Sequence, residues 1–461
     1  MLSKDIVTKV LEKCLKTGAD FAEIYEEDTL TNSLALVDNK IEDALGGRSY
    51  GVGIRIFKGL KSVYAYTNDN SLDSLLDTAY KASIALSNLK QDITITLHNK
   101  KILTDVNPIK VRPSQIGYEK RINVMKDAYK VAKDYNSLIS QVSVNYFDKE
   151  QKVLIANSEG TFVEDERIRT RLFIKSIASN ESENQTGYEG PGASMGYELF
   201  ENIDVNHYAK EASRVAYTML NAKNCPIGKM PVVIDNGFGG VIFHEACGHS
   251  LEATSVAKDN SEFCNKMNTQ IASTKITAID DGTLKNHWGS INIDDEGTKS
   301  QRNVLIKDGI LNSYLVDKLN ARRMNTDITG SSRRESYKFA PTSRMTNTYI
   351  DNGNDRCEDI LKSVDNGLYA KKMGGGSVNP VTGEFNFTVL EGYILRDGQI
   401  CEAVRGASLI GKGSQVLMDI DMVGDNLAQA QGMCGSVSGS IPTNVGQPMI
   451  RVKEMTVGGR E

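Results

Sequence analysis

The pattern of apolar and polar positions divides the chain into three stretches. In the first, Ile6, Val7, Val10, Leu11, Cys14 and Leu15 recur at helical spacing behind a Ser3 cap, and Gly18 closes that helix. Runs of β character follow at Phe21 to Tyr25, Ser33 to Val37, Val52 to Phe57 and Ser62 to Tyr66, punctuated by Asp38-Asn39-Lys40, Gly46-Gly47 and Lys58-Gly59. A helix over about Leu72 to Leu86 ends the stretch, and the two prolines between Asn107 and Pro113 mark a linker. The second stretch repeats the order. A helix over about Gln115 to Asp134 leads to strands near Ile139 to Phe147, Lys152 to Asn157, Gly160 to Glu164 and Arg169 to Lys175, then a helix over about His207 to Leu220.

Helix, strands, helix therefore occurs twice, and LVDNKIEDALGGRSYGVGIRIF loosely echoes LIANSEGTFVEDERIRTRLFIK, as either an ancient duplication or convergent strand patterning would leave. The polar segment Asn180 to Met195 reads as a mobile loop or an overhang on a cleft. From Cys225 onward a strand at Met230 to Ile234 is followed by many short glycine-broken strands: Gly289 to Ile293, Asn303 to Ile306, Ile310 to Leu315, Ser377 to Asn379, Phe385 to Ile394 and Leu417 to Met422. The expected fold is α+β: a helix-flanked β-sheet N-terminal half, then a β-rich, barrel-like C-terminal domain. The divisions fall at 1–106, 107–224 and 225–461.

Composition narrows the function. A length of 461 residues allows two or three domains, and a net charge of −5 without a Lys/Arg block argues against a nucleic-acid partner. There is no run of 18 apolar residues, and the amphipathic N-terminus is unlike a signal peptide, so a cytoplasmic protein without membrane partners is expected. Seven cysteines without paired spacing fit reduced thiols.

The chemistry concentrates in GGVIFHEACGHSLEA, residues 239–253, where two of the five histidines flank a glutamate. His244 and His249 form HExxxH, one residue longer than the HExxH of zinc hydrolases. An i, i+5 pair on a straight helix is splayed by roughly 140°, so both rings meet one ion only if the helix is distorted. Gly248, which costs about 1 kcal/mol in a helix interior, predicts a helix end or a π-type bulge there. Spacing and chemistry nominate His287, an acid or one of the cysteines as a third ligand, while His98 and His207 read as structural. Cys247, inside the motif, reads as packing.

With these residues in view, the sequence resembles the TldD/PmbA metalloproteases on their zinc-bearing, TldD-like side. The resemblance runs through FHEACGHSLEA (243–253), INIDDEGT (291–298), RRESY (333–337), RMTNTY (344–349), GGGSVNPVTGEFNF (374–387) and GMCG followed by VGQP (432–448). It implies zinc held by His244, His249 and, as a thiolate, Cys434. Glu245 is then the general base in hydrolysis of short or unfolded peptides. It also implies a paired subunit, either a PmbA/TldE-like partner or a second copy. Ser250 and His287-Trp288 depart from the pattern expected beside the motif. The competing readings are a peptide-binding or regulatory protein with a structural zinc, and a zinc amidase acting on a small molecule.

Other polar residues have plainer expectations. Arg333, Arg334, Tyr337, Arg344, Asn347 and Tyr349 are candidate oxyanion donors, with salt bridging or hydrogen bonding as the alternative. Asp294-Asp295-Glu296 reads as a solvated turn, with an auxiliary cation site as the alternative, and Gly374-Gly375-Gly376 as a backbone turn or a point of close peptide approach.

Overall fold

The computed structural model describes residues 1–86, 93–379 and 382–459. Pro380 and Val381 of the GGGSVNPVTGEFNF motif lie outside them.

The N-terminal half contains α1 (Lys4–Leu15), β1 (Phe21–Val37), β2 (Lys40–Lys58), β3 (Lys61–Thr67) and α2 (Leu72–Leu86). These are followed by α3 (Tyr118–Lys133), β4 (Ile139–Asn157), β5 (Thr161–Ser179), β6 (Asn184–Glu189) and α4 (Val205–Leu220). Ser3 caps α1 by accepting the Ile6 N–H, and Asp204 caps α4 by accepting from Asn206 and His207. Strands from both sides of residue 107 join one sheet in the order β3-β2-β1-β4-β5, with β1 and β4 antiparallel at its centre and β6 also paired to β5. One hydrophobic core forms beneath α1 and α2, and a second beneath α3 and α4.

The runs Phe21 to Tyr25 and Ser33 to Val37 are one long strand, as are the two runs of β4 and the two of β5, whereas Val52 to Phe57 and Ser62 to Tyr66 lie on separate strands, β2 and β3, as expected. Gly46 and Gly47 lie mid-strand in β2, opposite Asn32 and Thr31, so they are not a turn. The polar residues that interrupt the apolar alternation, such as Glu26, Glu27 and Asp148, are buried on the sheet and hydrogen-bonded to side chains. Asn180 to Met195 is not a free loop. Its β6 extends the sheet, and Gly187 packs so closely on α4 that a Cβ would lie 2.1 Å from the Ala212 carbonyl oxygen.

The C-terminal domain closes a five-stranded barrel from β7 (Gly228–Ile234), β8 (Asn366–Val378), β9 (Glu384–Arg396), β10 (Ser408–Lys412) and β11 (Ile450–Gly458). The order is β8-β7-β11-β10-β9, and pairing of β8 with β9 completes the ring. Gly374 to Gly376 is not a turn but an irregular part of β8. A Cβ at Gly374 or Gly376 would collide with Thr388 or Phe387 of β9. The Leu417 to Met422 run divides into a helix, Gly413–Asp419, and a short strand, Ile420–Val423, while Gly289 to Ile293 is irregular chain. Beside the barrel stands a six-stranded sheet whose outer hairpin is Ala428–Ser436 and Gly439–Gln447. Among the described residues, no helix is long and apolar enough to cross a membrane.

Candidate metal centre

The histidine segment is short helix, break, then a tighter turn. Val241–Ala246 is helical, Cys247 leaves the helix at φ −128° and ψ −48°, and Gly248–Leu251 is a 3-10 turn. The helix thus stops just before Gly248, where a Cβ would lie 2.3 Å from the sulfur of the buried Met345 side chain. The break turns the two imidazoles toward each other, with ring centroids 5.1 Å apart and planes at 81°.

Cys434 arrives from the edge strand Ala428–Ser436, and its Sγ lies 3.3 Å from Nε2 of His244 and 3.3 Å from Nε2 of His249. The three donor atoms lie within 4.8 Å of one another, as a metal site requires. Burial pushes the Cys434 thiol up, but the imidazoles outweigh it and bring the thiol down to about 3. Burial alone would depress His249, yet Glu252 and Cys434 raise it well above its ordinary value. The arrangement is a cysteine sulfur between two imidazole nitrogens.

Glu245 is 30 % exposed, with Oε2 3.7 Å from His249 Nε2. Two further residues shape the site without having been singled out for that role. Glu252 places Oε2 3.2 Å from His249 Nδ1, which leaves Nε2 facing Cys434. Its signal was the i, i+3 spacing from His249. Arg344, fully buried, donates to the Cys434 carbonyl, to Ser438 Oγ at 2.9 Å and to the Gly439 carbonyl at 3.0 Å. Those bonds hold the Cys434 hairpin, while Arg344 Nε, 3.9 Å from Glu252 Oε1, makes no hydrogen bond among the described residues.

The remaining candidates have ordinary partners. His287 Nδ1 lies 2.8 Å from Gln429 Oε1 and is not part of the donor cluster, and His98 and His207 are exposed. Cys247 lies in the main core, where burial pushes its thiol up. Arg333 donates to the Met345 carbonyl, and Asn347 to the Asp281 carbonyl and Ser290. Arg334 binds Glu23 and stacks over Tyr25, and Tyr337 packs with Tyr25 and edge-on to Tyr66. Tyr349 is buried on its strand, in register with Ile279.

Asp294-Asp295-Glu296 is not a solvated turn, since all three are buried. Asp294 accepts the N–H groups of Glu296, Thr298 and Ser332, Asp295 pairs with Arg167 at 2.6 Å, and Glu296 pairs with Arg55. Arg55 and Arg167 come from the N-terminal sheet, so these acids fasten that sheet to the domain carrying the metal donors.

Three family models match in chain order: PmbA/TldA metallopeptidase domain 1 over residues 22–83, the central domain over 111–220 and the C-terminal domain over 227–459. Metalloprotease TldD homologs of Haemophilus influenzae and of Buchnera aphidicola from Acyrthosiphon pisum are 37% and 35% identical, each over 99% of this chain and 97% and 96% of their own. The chain belongs to the PmbA/TldD metallopeptidase family.

A Saccharolobus solfataricus relative named a zinc metalloprotease TldD homolog is 26% identical over 98% of this chain and 99% of its own. Among solved structures, a candidate modulator of a DNA gyrase from Thermotoga maritima superposes with a TM-score of 0.81 at 20% identity, covering 99% of this chain and all of its own. TldE from Thermococcus kodakarensis gives 0.75 at 18% identity, covering 99% of both chains. At those identities the likeness speaks for the fold.

Proposed function

We propose that this protein is a zinc-dependent peptidase that hydrolyses short or unfolded peptides, with His244, His249 and Cys434 as metal ligands and Glu245 as general base. The observation that carries this reading is the convergence of two imidazole nitrogens on one cysteine sulfur, each 3.3 Å away, beside the half-buried Glu245 carboxylate, 3.7 Å from His249. Zinc bonds of about 2.0–2.1 Å to nitrogen and about 2.3 Å to sulfur in tetrahedral array set nitrogen and sulfur about 3.5 Å apart, so the donors fit that ion. The relative named a zinc metalloprotease supports the same choice. Bound there, zinc supplies Lewis acidity and an open position at which water becomes acidic near neutral pH.

The chain's own residues do the rest. Glu245 accepts a proton from the attacking water and returns it to the leaving amine. Glu252 holds His249 in its ligating orientation, and Arg344 keeps the Cys434 hairpin in register with the histidines. A structural zinc would call for a fourth protein ligand. Among the described residues the donor cluster has the three members named.

The partner is a PmbA/TldE-like subunit or a second copy, a reading the shared fold with TldE supports, and the protein works in the cytoplasm. Glu245→Gln tests the mechanism, with zinc content measured alongside hydrolysis of a mixture of unstructured peptides, alone and with a PmbA-like partner. Zinc should stay bound while hydrolysis stops; full activity in the variant removes Glu245 as the base.

A further inference from the structure

A cavity of about 440 Å³ lies between the N-terminal sheet and the C-terminal domain. It borders Met433, the neighbour of Cys434, and its charge is lopsided. Arg167, Arg169 and Arg171 alternate along β5 and so present one face, and all three line the cavity. Lys149 of β4 sits directly opposite Arg169 in the strand register and lines it too, as does Arg333 from the other side.

Like charges directly opposite across a strand pair destabilise a sheet unless something neutralises them. Here the acids of the cavity are already engaged, and Glu27 of β1, whose charge acts on Lys149 from nearby, accepts from Gln151 at 3.1 Å. Asp295 is taken by Arg167 at 2.6 Å and by the Arg334 N–H at 2.6 Å, and Glu335 accepts the Ser440 N–H at 2.7 Å. Among the described residues no ion pair involves Lys149, Arg169, Arg171 or Arg333. Arg169 and Arg333 are nonetheless buried, 6 % and 4 % exposed, with Nε of Arg169 on the Trp288 carbonyl and Nη1 of Arg333 on the Met345 carbonyl. Burial, with Arg333 and Arg167 nearby, brings Arg169 down to about 9, and burial takes Arg333 to about 10. In both, burial is the largest cause, with neighbouring cations adding to it.

We propose that this cavity is a carboxylate-binding subsite for the peptide substrate, in which Lys149, Arg169 and Arg333 receive a free carboxylate. The proposal rests on the peptidase reading for the identity of the ligand as a peptide. An arginine fork matches a planar carboxylate, and a lysine opposite it adds a point charge. Phe147, Trp288 and Met433 supply apolar walls for the residue that bears the carboxylate. The site therefore favours peptides by a charged group they carry, beyond the backbone they all share. That carboxylate is either the C-terminus or an acidic side chain.

Titration calorimetry on the full-length Glu245→Gln protein reads binding without turnover. The probes are an unstructured apolar peptide as free acid and as C-terminal amide, and an amidated pair differing by one internal Glu or Gln. One carboxylate of either source should tighten binding by about tenfold. The free-acid pair carrying the difference assigns the C-terminus, and the Glu/Gln pair assigns a side chain.

Lys149→Met and, separately, Arg169→Gln should abolish the preference. Without peptide, Lys149→Met should melt no lower than its parent, because it removes one of two opposed cations. A merely structural lysine would lower the melting temperature and leave the preference intact. Equal binding within both peptide pairs, or a preference that survives both substitutions, overturns the proposal. Zinc-loaded wild type that cleaves acids and amides alike, with equal affinities, sinks the subsite and leaves the peptidase reading standing. A carboxylate preference without any hydrolysis does the reverse.

Discussion

Gly240→Ala should weaken metal binding without touching a ligand. Gly240 directly precedes the helix Val241–Ala246 that carries His244, and it lies against Gly446 on the strand paired with that of Cys434. A Cβ there would stand 2.4 Å from the Gly446 carbonyl oxygen and 2.5 Å from its carbon and nitrogen. These are backbone atoms that cannot swing aside, and ordinary contact needs about 3.5 Å, so helix and strand must separate by roughly 1 Å. Ligand distances in a metal site tolerate about 0.2 Å. The separation therefore acts on the 3.3 Å between His244 Nε2 and Cys434 Sγ.

Alanine is the better helix former by about 1 kcal/mol, which opposes the overpacking cost of about 1–3 kcal/mol. The net loss of stability should be at most about 2 kcal/mol by these figures, and zinc affinity should fall by about tenfold or more. Chelator competition gives the affinity and urea unfolding the stability. Gly47→Ala, where a Cβ would meet nothing within 4 Å, is the control. Wild-type zinc affinity in Gly240→Ala would refute the claim that the Gly240–Gly446 contact sets the ligand spacing.

Glu252→Gln, which keeps the shape but removes the charge facing His249 Nδ1, should lower zinc affinity by about tenfold in the same competition assay. Unchanged affinity would mean that packing alone orients the ring. Glu391 of the barrel gives a pH signature. Burial opposes its ionisation, but two bonds of 2.8 Å from Arg214 on α4 win and bring the carboxyl down to about 2. Because the folded value lies below the unfolded one of about 4.5, the stabilisation is present above that pH and lost as pH falls from about 4.5 to 2, by up to about 3 kcal/mol. Urea midpoints across that window should fall steeply in wild type and less so in Arg214→Met, which is also less stable at pH 7; parallel curves would contradict the assignment.

How legible each part was depends on how far apart its residues lie. The HExxxH histidines and the glutamate between them declare themselves within a few positions, and the awkward i, i+5 spacing even foretold a break near Gly248. Helix boundaries were legible for the same reason, since caps and apolar stripes are local. Cys434 stands 185 residues beyond His249, and no local feature marks it, so only the family resemblance brought it forward. Glu252 was within reach of spacing arguments, whereas Arg344 acts through the backbone of a hairpin whose position no pattern of side chains reveals.

The misread strands and the misread acids have one physical cause. Three consecutive acids default to a solvated turn because isolated carboxylates are costly to bury. Charged positions inside a strand likewise read as interruptions. Both patterns hold only where no partner is near, yet Arg55 and Arg167 on the sheet and Asp295 and Glu296 beyond it satisfy one another across a buried boundary. The alternation of arginines at 167, 169 and 171 was the available sign that a polar strand face was packed against something of its own kind. Among the described residues, only Arg167 of the three pairs with a carboxylate there. The ion pairs that fasten the sheet to the metal-bearing domain thus also hold Arg169 and Arg171 at the cavity beside Cys434, so the same interface that braces the fold builds the wall a peptide would meet.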